Sequence, residues 1–230
     1  MIYESIVEGI FLGRPNRFLA RVLVDGREVM AHVKNTGRCR ELLIPGTRVY
    51  LQKHDDPKRK TAFSLITVEK GERLVNMDSQ APNTVAWEYI SQGNIIGPAS
   101  LIKREKTFKD SRFDLYYEMD GNLDKKAGFI EVKGVTLEED GVALFPDAPT
   151  LRGLKHVYEL AEAVKAGYGA GIIFVIQMDN IRCFTPNART QPEFLEALKI
   201  VADEGVFIKA FECCVTKNSL DITKEVPVVL

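Results

Sequence analysis

Five short apolar-rich runs separated by turn residues fill the first eighty positions, and this segmentation restricts the opening part of the chain to a small β structure. The runs are Ser5–Leu12, Phe18–Val24, Glu28–Val33, Thr47–Gln52 and Ala62–Val68. Asp25-Gly26 separates the second from the third. That dipeptide between apolar runs signals a tight hairpin, because both central residues of a type I′ turn need positive φ. Five strands in so short a segment predict a closed barrel of the OB type, with an SH3-like barrel as the competing arrangement. A polar, mostly basic loop, 53–60, lies between the fourth and fifth runs.

The pattern changes after Asn76. Pro82-Asn83-Thr84 begins a helix that stops near Gly93. Strands are predicted at Arg112–Glu118 and Gly128–Val135, a helix from Leu151 to Ala166, and an apolar strand at Ala170–Ile176 of the kind buried on both faces. A helix from Pro192 to Ala202 and a strand at Val206–Phe211 follow. This alternation predicts an α/β domain with a mixed sheet. The chain as a whole is therefore expected to be a two-domain α+β protein, with a barrel over residues 1–80 and the α/β domain over 81–230.

Charge divides in the same way. Residues 1–80 carry 14 Lys and Arg against 10 Asp and Glu, whereas 81–230 carry 17 against 22. A basic first part joined to an acidic second part suits a binding domain coupled to a carboxylate-bearing one. No apolar run approaches the roughly 20 residues of a membrane helix, and no signal peptide is apparent at Met1-Ile2-Tyr3-Glu4. Cys39, Cys183, Cys213 and Cys214 include no C-x-x-C pair. Free thiols in a reducing cytoplasm are expected, without a zinc site.

Strand side chains alternate, so Glu131 and Lys133 project from one face, and Asp114 joins them if the two strands pair. Two converging carboxylates suit a hard divalent cation, Mg²⁺ or Mn²⁺, that keeps several waters. The carbonyl of Val132 is a further candidate ligand, and Glu88 on the first helix another. Lysine beside such a site can neutralise charge developing on a phosphate. Alternating Glu and Lys also arise on solvated strand faces. Here, however, Phe129, Ile130, Val132 and Val135 give the strand an apolar setting. On the next helix Arg152, Lys155, His156 and Glu159 recur at spacings of three and four, a row able to meet a phosphate backbone. Thr150 is its candidate N-cap. In the first domain Arg14, Arg17, Arg21, Lys34, Arg38 and Arg40 are candidates for tracking a backbone. Phe11 and Phe18 are near enough to supply stacking, although a barrel core is the ordinary place for either ring.

Several segments in order resemble one family: Arg14–Ala20, His32 with Asn35-Thr36-Gly37, Pro45-Gly46, Ser111–Asp114, Ile130–Leu137, Phe145–Ala148, and Thr150 with Arg152-Gly153 and Lys155-His156. The chain is similar to the sugar fermentation stimulation protein A (SfsA) family over nearly its whole length. The resemblance implies an OB-like domain, a second domain of the PD-(D/E)xK nuclease type, DNA binding, and a role in expression of sugar-utilisation genes such as those for maltose. Residue by residue, Asp114, Glu131 and Lys133 match the nuclease motif, and Arg152, Lys155 and His156 the motif of the following helix. Glu88 has no such motif around it. Two functions follow: a divalent-metal-dependent nuclease acting on DNA, with RNA an alternative substrate, or a non-enzymatic DNA-binding regulator on an inherited nuclease fold.

Overall fold

The computed structural model describes every residue except Thr36, Arg38 and 122–124. Six strands open the chain: β1 (Ile6–Asn16), β2 (Leu19–Val24), β3 (Arg27–Val33), β4 (Arg48–Lys53), β5 (Phe63–Lys70) and β6 (Arg73–Asn76). Asp25 and Gly26 form the two-residue loop between β2 and β3 with φ of 48° and 74°, as the dipeptide predicts. The sheet runs β3-β2-β1-β4-β5-β6, and a parallel β3–β5 pairing closes its first five strands into the expected OB barrel. Alternation supplies the core: Ala20, Val22 and Val24 of β2 face inward with Phe11 of β1.

The second part contains α1 (Ala81–Ser91), β7 (Leu101–Phe108), β8 (Ser111–Glu118), β9 (Ala127–Val135), β10 (Leu137–Glu139), β11 (Val142–Phe145), α2 (Leu151–Lys165), β12 (Gly169–Ile176), β13 (Cys183–Pro186), α3 (Pro192–Asp203), β14 (Phe207–Val215) and β15 (Leu220–Val226). Its main sheet is mixed, in the order β15-β14-β12-β9-β8-β7. The central β9, β12 and β14 are parallel, and antiparallel strands flank them. Every residue of β12 is buried. Helix α1 packs on one face, where Val85 and Ile90 join Ile130 and Ile173; α2 and α3 cover the other. A small sheet, β10-β11-β13, adjoins.

The sequence pattern underestimates the strands. β7 shows no alternation because four of its central residues are the exposed charges Lys103, Arg104, Glu105 and Lys106. Charges of this kind are typical of an edge strand, where they discourage pairing with other chains. The short β6, β10, β11 and β13 and the edge strand β15 also lie outside the strands that the sequence predicts.

The barrel and the α/β domain share buried surface. Residues of both, from Phe11 and Leu65 to Phe113 and Val157, form one continuous hydrophobic cluster. Gln177, directly after β12, donates through Nε2 to Asn76 and to the Asp78 carbonyl at 3.0 Å. Glu138 of β10 is buried and receives Lys70 at 2.6 Å and Arg73 at 2.9 Å from the barrel side. Burial alone would raise this carboxyl. The hydrogen bonds from Lys70, the Gly141 amide and Arg73 overcome burial and pull it down to about 2. A depressed carboxylate stabilises the fold above its unfolded pKa and loses that contribution as pH falls through its folded pKa. Glu138→Gln should therefore destabilise the fold at neutral pH, by on the order of 1–3 kcal/mol. In urea unfolding, the gap between wild type and variant should narrow as pH drops from about 4.5 toward 2. A gap that stays constant between pH 7 and pH 3 would contradict this assignment.

Candidate active site

β8 and β9 pair from Glu118↔Ala127 to Leu115↔Ile130, and the pairing stops there. Asp114 and Glu131 are the next residues on the two strands. The parting leaves the outer edge of Val132 without a strand partner, and Asp114 fills that place: its Oδ2 accepts from the Val132 amide at 2.8 Å. Within one β residue the N–H and C=O project to the same side, so the Val132 carbonyl also faces this opening. Helix α1 contributes Asn83, whose Nδ2 donates to Asp114 Oδ1 at 2.6 Å.

Glu131 is buried. Its Oε1 accepts from Lys133 Nζ at 2.5 Å and from His156 Nδ1 at 2.6 Å. An ionised carboxylate only accepts, so the imidazole donates from Nδ1. Glu131 Oε2 is buried and has no hydrogen-bond partner among the described residues. Such an orphaned oxygen is costly unless something outside the chain's own groups satisfies it.

His156 is placed by α2. Thr150 caps that helix as expected, accepting from the Gly153 amide at 2.9 Å. Gly153 leaves room for the cap, since a Cβ there would lie 2.7 Å from Thr150 Cγ2. The Thr150 amide in turn donates to Gln191 at the start of α3, at 2.9 Å. Phe113 packs edge-on against the His156 ring, with centroids 6.0 Å apart. The result is a cleft of about 260 Å³ lined by Asp114, Glu131, Val132 and Lys133, with Asn83 and Ser79 on one side and Arg112, Arg152 and His156 on the other.

The two carboxyls are driven in opposite directions. Burial, followed by the neighbouring Glu131 charge, pushes Asp114 up to about 6 against the opposing hydrogen bond from Val132. Burial also pushes Glu131 upward. The His156 hydrogen bond and the Lys133 ammonium outweigh it, and the Glu131 carboxyl ends below its ordinary value.

The structure thus brings together Asp114, Glu131 and Lys133, which strand alternation expects on one face, and Val132 lines the same cleft. It separates other candidates. Glu88 lies elsewhere on α1 and bonds the Met1 amino group at 3.1 Å, lining a different depression with Asp221. It is five residues beyond Asn83, about two-fifths of a turn away around the helix. His156 leaves the polar row of α2 and is buried against Glu131, while Lys155 is exposed, pairs with Glu159 at 3.5 Å and does not line the cleft. Arg152 does line it, with Nε 3.5 Å from His156 Nε2.

In the barrel, Lys34 neutralises the buried Asp78 at 2.5 Å. Arg14 ties down its own loop, donating to the carbonyls of Gly37, Asn35 and Arg17. Both cations serve the fold because nearby acceptors hold them, which sequence charge does not reveal. Arg17 and Arg40 are exposed, and Arg38 lies outside the described residues. Phe11 belongs to the core, whereas Phe18 is 44% exposed. Sequence reasoning missed Asn83 and Arg112. Arg112 stands two residues before Asp114 on β8, so the period-2 rule could have found it. For Asn83, read as part of a helix start, no sequence signal pointed to the cleft. All four cysteines are free, and among the described residues no helix is long and apolar enough to cross a membrane.

An OB barrel joined to a mixed-sheet α/β domain, with Asp and Glu-x-Lys meeting where β8 and β9 part, defines a two-domain protein with a PD-(D/E)xK nuclease-like fold. Residues 12–77 match the SfsA N-terminal OB domain, and 80–219 match the sugar fermentation stimulation protein RE domain. The sugar fermentation stimulation protein homolog of Clostridium beijerinckii is 52% identical over the full length of both chains. The homolog of Ruminiclostridium cellulolyticum is 53% identical, again over all of both. A solved structure of Pyrococcus furiosus SfsA in complex with Ca²⁺ superposes with a TM-score of 0.87 at 29% identity, covering 100% of this chain and 98% of that one. The chain belongs to the SfsA family.

In protein free of divalent ions, Asp114 should titrate near pH 6 and Glu131 below the ordinary glutamate value, as carboxyl ¹³C shifts would report. A raised carboxyl favours the fold when protonated, so ionising Asp114 removes stability as pH rises from the ordinary aspartate range through about 6. Glu131→Gln removes the neighbouring charge and should move the Asp114 midpoint downward. An Asp114 midpoint near 4 in the wild type would refute this electrostatic picture.

Proposed function

We propose that this protein hydrolyses phosphodiester bonds in nucleic acid, DNA in preference to RNA, with a divalent cation held by Asp114, Glu131 and the Val132 carbonyl. One observation carries the reading: Glu131, which lines the same cleft as an Asp114 whose carboxyl is pushed upward, has a buried oxygen lacking any partner among the described residues. A cation there would satisfy the oxygen and relieve the repulsion between the two carboxylates. Among the described residues no group of three or more His, Cys, Asp or Glu side chains is arranged as a metal cage. Two carboxylates and a carbonyl instead suit Mg²⁺ or Mn²⁺, which keep waters in their remaining positions. The Ca²⁺ bound by the Pyrococcus furiosus relative, another oxygen-seeking cation, supports this donor set.

When bound, such an ion neutralises phosphate charge and makes water more acidic. The chain's own residues do the rest. Asp114 and Glu131 fix the site, held by Asn83 and His156 respectively. Lys133 Nζ, already at Glu131, is placed to stabilise negative charge growing on a scissile phosphate. Arg112 and Arg152, on the wall of the cleft, meet the phosphates flanking it. Exposed Arg17 and Arg40 extend the contact onto the barrel. Four free thiols and the lack of a membrane-crossing helix among the described residues support a cytoplasmic location.

Calorimetry with Mg²⁺ or Mn²⁺ should show binding to wild type and none to an Asp114→Asn, Glu131→Gln double variant. Lys133→Met should fold, bind metal and nucleic acid, and cleave about 10²–10³-fold more slowly. Assays on single- and double-stranded DNA and RNA, with metal or chelator, decide the matter. Cleavage at the wild-type rate by Lys133→Met would move the activity elsewhere. A wild type that binds but cleaves none of these substrates would leave a DNA-binding regulator.

A further inference from the structure

The β1–β2 turn presents Phe18 outward. Asn16 Oδ1 accepts from the Phe18 amide at 2.8 Å, and the Phe18 carbonyl accepts from the Val33 amide at 2.8 Å, so the backbone beneath the ring is pinned on both sides. The ring remains 44% exposed, and the Arg17 guanidinium lies 4.7 Å from its centroid. The loop between β4 and β5 meets it with Arg59, Lys60 and Thr61. With Leu19 and His32 these residues enclose an open cleft of about 380 Å³, within the roughly 300–1,000 Å³ range of ligand pockets.

Two features distinguish this cleft from an ordinary polar surface. Some cations of the barrel are paired, Arg21 with Glu28 and Lys53 with Asp55. Among the described residues, Arg17, Arg59 and Lys60 have no carboxylate partner; Arg59 is held instead by Ser64 Oγ at 3.0 Å and the Thr61 carbonyl at 3.4 Å. The cleft thus combines an exposed aromatic ring on a pinned backbone with positive charge that no described carboxylate neutralises. An exposed ring beside cations, with Arg17 over it and Arg59 held at the cleft, complements an unpaired base with its phosphates. A duplex does not fit, because its bases are stacked and must be extruded to offer a face, at a cost of a few kcal/mol.

We infer that the cleft between Phe18 and Arg59 is a docking site for single-stranded nucleic acid, with a base on Phe18 and its phosphates at Arg59 and Lys60. This rests on the proposed action on nucleic acid and specifies its strandedness. It also assigns the barrel a contact that Arg14 and Lys34, committed to the fold, do not make.

The test is fluorescence anisotropy of labelled DNA and RNA oligonucleotides, single-stranded and duplex, in chelator so that nothing is cleaved. It uses the full chain and the variants Phe18→Ala, Phe18→Trp and Arg59→Ala, each first shown by thermal melting to be folded. Phe18→Ala should weaken single-strand binding about ten- to hundredfold while leaving duplex binding and the salt dependence nearly unchanged. Phe18→Trp should retain single-strand binding. Arg59→Ala should lower the slope of log affinity against log salt by about one. Single-strand affinity that is unchanged by Phe18→Ala overturns this site while leaving the nuclease proposal intact. So does an equal loss for single strands and duplex. A wild type that binds no nucleic acid at all overturns both.

Discussion

Two acidic side chains meet where β8 and β9 cease to pair, and much of the surrounding structure holds them there. A carboxylate removed from water is unfavourable unless hydrogen bonds or opposite charge compensate it. Asp114 is compensated by the Val132 amide and Asn83, and Glu131 by Lys133 and His156 on one oxygen alone. The wholly buried β12 fixes β9 on its far side over eight register positions, Gly169↔Gly128 to Ile176↔Val135. The Thr150 cap fixes the start of α2 and hence His156. The oxygen left over, Glu131 Oε2, is the one acceptor of the pair to which no described residue donates.

The barrel is attached to this sheet by polar contacts as well as by shared core. Asp78 sits at the joint, buried, with Lys34 on its carboxylate and Gln177 on its carbonyl. Met1 reaches across to Leu220 and Asp221, so the N-terminus is tied to the second sheet before the barrel begins. Ser79, the residue after Asp78, lines the carboxylate cleft and donates to the Lys34 carbonyl at 2.9 Å. The joint therefore sets the barrel beside the cleft.

Legibility in the sequence follows physical type. The hairpin at Asp25-Gly26, the apolar β12 and the three helices are readable because turn chemistry, burial on both faces and helix-start signals (Pro82, Pro192 and the Thr150 cap) are local. Glu131 and Lys133 are readable because strand alternation is local too. Edge strands such as β7 are hidden, since their charged residues obey no core-facing period. The fates of individual cations are hidden as well. Lys34 and Arg14 look like surface charge until the acceptors they serve are seen, and Glu88 looks like a ligand until the helix turns it toward Met1. Asn83 comes to Asp114 only through the packing of α1 against the sheet.

The most direct measurement is the anomalous density of Mn²⁺ in crystals of the protein grown with that ion. A peak within coordination distance of Asp114, Glu131 Oε2 and the Val132 carbonyl is predicted, with the remaining positions filled by water. Mn²⁺ bound only at other carboxylates, with Glu131 Oε2 still unsatisfied, would contradict the assignment of this cleft as a metal-dependent catalytic site.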